Sequence, residues 1–358
     1  RREAIKMAGL MLRLGGSGGN YAYVNARVRA KKAKLLPRDE YARLIARDAS
    51  EIARALQEGA YKEAIDSLAG RYRGAELVER ATRDHLGRVY TQVQGFATGR
   101  LAGMIGQYLA RYDVQNLKTI IRSKFAGAKP EEILAETIPA GSLAPRLDEL
   151  ARIERLEDIP QALAATPWRK VLAPLLESRR PDSLLEVENA LDQAYYSDLL
   201  KSVPPGGAAN RAFLGWIKNE IDITNIKTLF RLRFAGVTEW EGVFVPGGAN
   251  VGREIAQRII RGMDDEVLQE FGQLQVASEV VEAARASLAA RNMNAIALAL
   301  DRELLRDAAS FSHRQPLSVL PVVDFILRKR IEADNLRAIA YGKQTGLTND
   351  TIQGLLVL

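Results

Sequence analysis

The sequence predicts an all-α protein in which one helical unit is written three times. Three observations predict it. First, YDVQNLKTIIRSKFAG at 112–127 returns as IDITNIKTLFRLRFAG at 221–236 and, more faintly, as IEADNLRAIAYGKQTG at 331–346. Aligned on Asn116, Asn225 and Asn335, the copies stand 109 and 110 residues apart. Second, apolar residues recur at three-and-four spacing through long stretches rich in Ala, Leu, Glu, Lys and Arg, the pattern of amphipathic helices. Third, alternating strand patterns are nearly absent, and VTEWEGVFV at 237–245 is the one weak case.

In chain order, RREAIKMAGLMLRLGGSGGN at 1–20 reads as a flexible leader, with a short apolar run at Leu10, Met11, Leu12 and Leu14 and a GGSGG spacer. YAYVNARVRAKKAKLL and IARDASEIARALQEGAYKEAIDSLAGRY follow as helices. The helical pattern running from ELVERAT to IIRSKF is too long for one globular helix and predicts a break near Gly95, Gly99 or Gly103. In the second unit DIPQALAATPWRKVLAPL at 158–175 matches EIARALQEGAYKEAIDSL at 51–68, and VPPGGAAN at 203–210 is a loop. LDQAYYSDLL at 191–200 pairs with LDRELLRDAA at 300–309 in the third. Similar loops precede the units: LLP at 35–37, IPAGS at 138–142 and VPGGAN at 245–250. The units are therefore cut as 21–137, 138–244 and 245–358.

At about 100° per residue, the repeated stretch places Asp113 and Asn116 in or beside an apolar stripe formed by Leu117 and Ile120. Asp222 with Asn225, and Glu332 with Asn335, repeat the arrangement. A buried acid and amide must find partners, so these six residues are expected to bond backbone or basic groups of a packed neighbouring helix and fix each unit. Lys118 and Arg122 lie about 140° and 180° round from Asp113, on another face. With Lys227, Arg231 and Arg233 they read as solvated bases.

The formal charge of +7 points to an acidic partner, a nucleic acid or an anionic membrane surface. The chain has no cysteine and two histidines, His85 and His313, which excludes thiolate chemistry and argues against a multi-histidine metal site. Gly342-Lys343 is followed by Gln344 and fails the phosphate-cradle pattern. Asp264-Asp265 and Glu131-Glu132 read as helix starts. LSVLPVVDFIL at 317–327, the nearest approach to a membrane span, is interrupted by Pro321 and Asp324. RVRAKKAKLL at 27–36 is basic but lacks the interleaved aromatics of a nucleic-acid platform. These readings leave no catalytic residues, metal ligands, cofactor or small-molecule substrate.

NYAYVNARVRAKKAKLL, YDVQNLKTIIRSKFAG, EVENALDQAYYSDLL, NEIDITNIKTLFRLRF, VPGG and EADNLRAIAYGKQTGLTNDTIQGLLV, in this order, resemble the C subunit of archaeal-type (A-type/V-type) rotary ATPases. That family is similar to the d subunit of the eukaryotic V-type ATPase. The resemblance covers roughly residues 20–358. It implies three related helical domains in a funnel-like, quasi-threefold arrangement. It also implies a non-catalytic connector on the cytoplasmic face of the membrane rotor ring, holding the foot of the central stalk and passing torque for proton or sodium transport. Arg122, Arg231, Arg233, Arg328 and Arg330 are the candidate contacts with stalk or ring. Glu332 and Tyr341 replace the Asp and Arg of the first two copies, so the three units need not act equally. The rival readings are a generic helical scaffold and a basic nucleic-acid-binding protein.

Overall fold

The three-and-four apolar spacing folds into eighteen α-helices in a computed structural model that describes residues 19–177, 184–274 and 276–358. The predicted leader lies outside the described residues, apart from Gly19 and Asn20. The first repeat holds α1 (Tyr21–Lys32), α2 (Arg38–Ile45), α3 (Ala49–Gln57), α4 (Lys62–Leu68), α5 (Gly74–Phe96), α6 (Gly99–Phe125) and α7 (Pro130–Glu136). The second holds α8 (Leu147–Arg152), α9 (Ile159–Ala162), α10 (Trp168–Leu176), α11 (Leu185–Ser202) and α12 (Ala208–Ala235). The third holds α13 (Arg253–Arg261), α14 (Asp264–Gln273), α15 (Ser278–Ala290), α16 (Asn294–Arg314), α17 (Leu320–Gln344) and α18 (Asn349–Gly354).

Local chemistry sets the helix ends. Glu51, Glu132 and Glu266 sit three residues past their N-caps and accept the N-cap amides of Asp48, Lys129 and Met263. Glu131 and Asp265 thus belong to helix first turns, where carboxylates complement the dipole. The long helical pattern of the first repeat breaks at Ala97–Thr98, between α5 and α6. Asn20 secures that break: its amide donates to the Phe96 carbonyl at 2.8 Å and its oxygen accepts from the Thr98 N–H at 3.0 Å. VTEWEGVFV forms no strand. Its carbonyls at Gly242 and Phe244 are taken by the Gln193 side chain and its Val245 amide by Asn225, so no second strand is needed to satisfy it.

Each motif helix packs on the long helix of the next repeat: α6 on α11, α12 on α16, and α17 back on α5. The packing therefore crosses the repeat cuts at 137 and 244, and it is cyclic. The acid–amide pair shows why. Asn116 donates to the Ile138 carbonyl at 2.7 Å and accepts from the Ile138 N–H at 2.8 Å. Asn225 does the same with Val245 at 2.8 and 2.9 Å, and Asn335 with Val357 at 2.8 and 3.0 Å. Three residues back, Asp113 accepts from the Leu143 N–H at 2.8 Å and the Ser142 hydroxyl at 2.6 Å. Asp222 accepts from the N–H groups of Ala249, Asn250 and Val251 at 3.1, 2.7 and 3.1 Å. At the first two joints the partners are thus groups of a connecting loop, all backbone but the Ser142 hydroxyl, and not a neighbouring helix. Glycine lets those loops approach: a Cβ on Gly141 would stand 2.2 Å from the Asp113 carboxylate, and one on Gly248 2.0 Å from that of Asp222.

The third joint has no chain running through it. Glu332, one methylene longer than its counterparts, reaches back to residue 36 and accepts the Leu36 N–H at 2.7 Å. Its other oxygen accepts from Tyr61 at 2.7 Å and from Lys329 at 2.5 Å. LLP at 35–37 therefore meets the motif acid at this seam as IPAGS and VPGGAN do at the other joints, while Val357 meets the asparagine. Leu336, Ile339, Ala340, Ile352 and Leu356 complete the apolar core of residues 41–81. Gln344 accepts from the Ala75 N–H at 2.9 Å, and Lys32 pairs with the buried Asp324 at 2.5 Å.

His85 lies behind this seam, with its ring centroid 4.4 Å from that of Tyr61. Burial, then the positive charges of Lys329, Lys31 and Arg88, push its pKa down from 6.5 to about 3. The folded chain therefore binds fewer protons at this site than the unfolded chain does. That contribution to stability is complete above pH 6.5 and is lost as pH falls from 6.5 towards 3. Between pH 7 and about 5.5 the loss is expected to be about 1 kcal/mol. Urea denaturation at the two pH values measures it. His85→Gln flattens the difference, and an equal slope in that variant would show that the loss arises elsewhere.

Candidate docking site between the repeated helices

The face opposite the acid–amide pair carries the site. On a helix, positions five and one before the motif asparagine, and two and six after it, fall within one arc of about 60°. In α6 these are Arg111, Gln115, Lys118 and Arg122. In α12 they are Glu220, Thr224, Lys227 and Arg231, and in α17 Arg330, Asp334, Arg337 and Tyr341. The three stripes face one another. A cavity of about 350 Å³ is walled by parts of all three, from Arg111, Gln115, Glu220, Thr224, Lys227, Arg231 and Arg330. A second, of about 250 Å³, shares Tyr112, Gln115 and Arg330 with it and adds Asp334, Arg337 and Arg83.

In the most buried part of the wall Arg111 forks onto Glu220 with bonds of 2.6 and 3.0 Å. Its remaining donors reach the Tyr195 hydroxyl at 2.8 Å and the Tyr108 carbonyl at 3.0 Å. The guanidinium lies 3.7 Å from the Tyr108 ring centroid. Further along, the third-position cations are held by the next repeat's long helix: Lys118 by Asp192, and Lys227 by Asp301 at 2.7 Å. Burial lowers the pKa of Lys227, and Asp301 opposes that shift. In the third copy the pattern changes, because position 84 pairs with Arg88 and Arg337 turns to Asp334 of its own helix.

The five candidate arginines separate. Arg231 is exposed and lines the larger cavity. Arg330 lines both cavities, with Asp301 at 3.8 Å and Asp334 at 3.9 Å. Arg122 is 62% exposed and forks onto Glu188. Arg328 pairs with Asp324 of its own helix at 2.7 Å. Arg233 is only 10% exposed; it donates to the Ile259 and Gly262 carbonyls at 2.8 and 2.9 Å and pairs with Asp264 at 2.5 Å. It closes the C-terminal end of α13, as Lys124 does for α8 through the Ala151 carbonyl at 2.6 Å. The structure thus brings Arg231 and Arg330 to one cavity and places the other three away from it. Sequence reading missed Arg111 and Glu220. Their signal was positional, since residues 111, 220 and 330 are equivalent in the repeat and all charged.

Among the described residues no helix is long and apolar enough to cross a membrane. The family model described as ATP synthase (C/AC39) subunit matches residues 24–355. The chain is 35% identical to the A-type ATP synthase C subunit of Methanococcoides burtonii over 97% of each chain. It is 34% identical to that of Methanosarcina mazei, over 95% of this chain and 93% of the relative. It is 33% identical to that of Halobacterium salinarum, over 95% and 98%. Matches of this length span the repeats, the seam and the cavity walls together, and the chain accordingly belongs to the ATP synthase (C/AC39) subunit family.

Proposed function

We propose that this chain is the non-catalytic connector of a rotary A/V-type ATPase. In this reading it sits on the membrane rotor ring at the cytoplasmic face and takes the foot of the central stalk into the space between α6, α12 and α17. It passes torque between the ATP-hydrolysing head and the ring that moves protons or sodium ions. The repeats 21–137, 138–244 and 245–358 are its three domains, set about that socket as a funnel. The relatives' shared description as the C subunit of an A-type ATP synthase supports the assembly. One observation carries the specific role: three equivalent helices each contribute part of an equivalent polar stripe to one cavity, while their opposite faces are locked into the next unit. A part under torsion has to resist shear between its units, and buried joints of packed side chains and hydrogen bonds do that.

The test is co-expression of the tagged full-length chain with the stalk and ring subunits of its own complex, followed by affinity purification in mild detergent. A stoichiometric complex with both is expected. If the chain elutes alone, or binds duplex DNA or RNA with steep salt dependence instead, the connector reading is wrong.

A further inference from the structure

We infer that the socket is built for an acidic protein segment, and that Arg231 and Arg330 are the residues that bind its carboxylates. This inference rests on the connector reading and adds to it the chemistry of the group received. The argument is one of matching charges. Four carboxylates stand in the walls of the two adjoining cavities. Glu220 is taken by Arg111, Asp192 by Lys118, Asp301 by Lys227 at 2.7 Å and Asp334 by Arg337. Arg83, at the edge, already pairs with Glu79 and Glu136 at 2.8 Å. Two wall cations are left over. Arg231 has no carboxylate within ion-pair distance among the described residues. Arg330 reaches only two carboxylates already engaged, the Asp301 oxygen that Lys227 also holds, at 3.8 Å, and the second oxygen of Asp334, at 3.9 Å, and its buried Nε has no hydrogen-bond partner. Both open onto the larger cavity from different motif helices. Arginine presents a planar fork that grips a carboxylate bidentately.

The rest of the wall selects among anions. Four fixed carboxylates oppose a nucleic-acid backbone, which brings a charge with every phosphate. Ile223, Leu304, Tyr195 and Tyr196 offer apolar and aromatic surface between the charges. A peptide segment that interleaves Asp or Glu with apolar side chains satisfies both requirements, and about 350 Å³ admits a few side chains, not a folded domain.

The experiment titrates the full-length chain with the co-expressed stalk subunits by calorimetry at low and high salt. Arg231→Glu, which alters an exposed side chain, is the variant safest for folding; R231E/R330E is the stronger one, checked by circular dichroism. Reversal of both charges is expected to weaken stalk binding about a hundredfold, with wild-type affinity falling as salt rises. R231K/R330K is expected to keep most of the affinity at low salt. Arg285→Glu, an exposed position outside both cavity walls and off the repeated stripes, is expected to bind as wild type. Tight wild-type binding that R231E and R231E/R330E leave unchanged overturns this inference while leaving the connector reading in place. No binding by the wild-type chain removes both.

Discussion

Replacing Glu220 by glutamine is expected to destabilise the protein by about 3–5 kcal/mol, the cost of leaving a buried cation without its counter-charge. Glu220 is 5% exposed and Arg111 14%. Both carboxylate oxygens are used by Arg111, and the guanidinium's other bonds go to neutral groups, Tyr108 and Tyr195. Glutamine keeps the shape and offers one acceptor, but the arginine cannot shed its proton and stays charged. The corresponding double replacement, Arg111→Met with Glu220→Leu, is expected to recover most of the loss. Taking two charges out of water is nearly as costly as their attraction is favourable, so the pair as a whole contributes little net stability. The contrast between single and double variants in urea denaturation is the measurement. A single variant as stable as wild type would show that water reaches the pair.

Much of the helix content and of the repeat could be read from the sequence, because both are carried by spacing. Asn116, Asn225 and Asn335 keep their distances, and the apolar stripe around them has the helical period. Which groups the asparagines bind was not legible. A side-chain amide is satisfied equally well by a neighbouring helix or by the backbone of a loop twenty residues on. The cyclic closure was less legible still. Glu332 and Leu36 stand almost at opposite ends of the chain, and no local pattern marks a contact of that range. Within the site, residues 111 and 220 escaped notice because the repeat, which makes them equivalent to Arg330, preserves polarity and position but not identity. Arg231 and Arg233 both read as bases off the apolar stripe, yet two residues along a helix is a turn of about 200°. One faces the cavity and the other the core of the next unit.

Glu332→Ala is expected to cost about 3–5 kcal/mol and, more tellingly, to loosen one joint and not the other two. Removal of this carboxylate strands the Lys329 ammonium, which is 4% exposed, together with the Leu36 N–H and the Tyr61 hydroxyl. Burial already lowers the pKa of Lys329, with Glu332 as the opposing influence; without it the lysine must lose its proton or drag water into the seam. Asp222→Ala strands three backbone N–H groups, a comparable chemical insult. At that joint, however, the chain itself runs from α12 into α13, so the loop stays at high effective concentration beside its helix and recloses. At the seam nothing covalent holds α17 to α2–α5. Hydrogen exchange should therefore quicken together in residues 38–96 and 320–354 of Glu332→Ala, ahead of global unfolding. In Asp222→Ala the change should stay near 245–261. Exchange that rises uniformly in both variants would mean that the ring has no weak joint. If it behaves as expected, the seam between the last repeat and the first sets the largest torsional load this fold can carry.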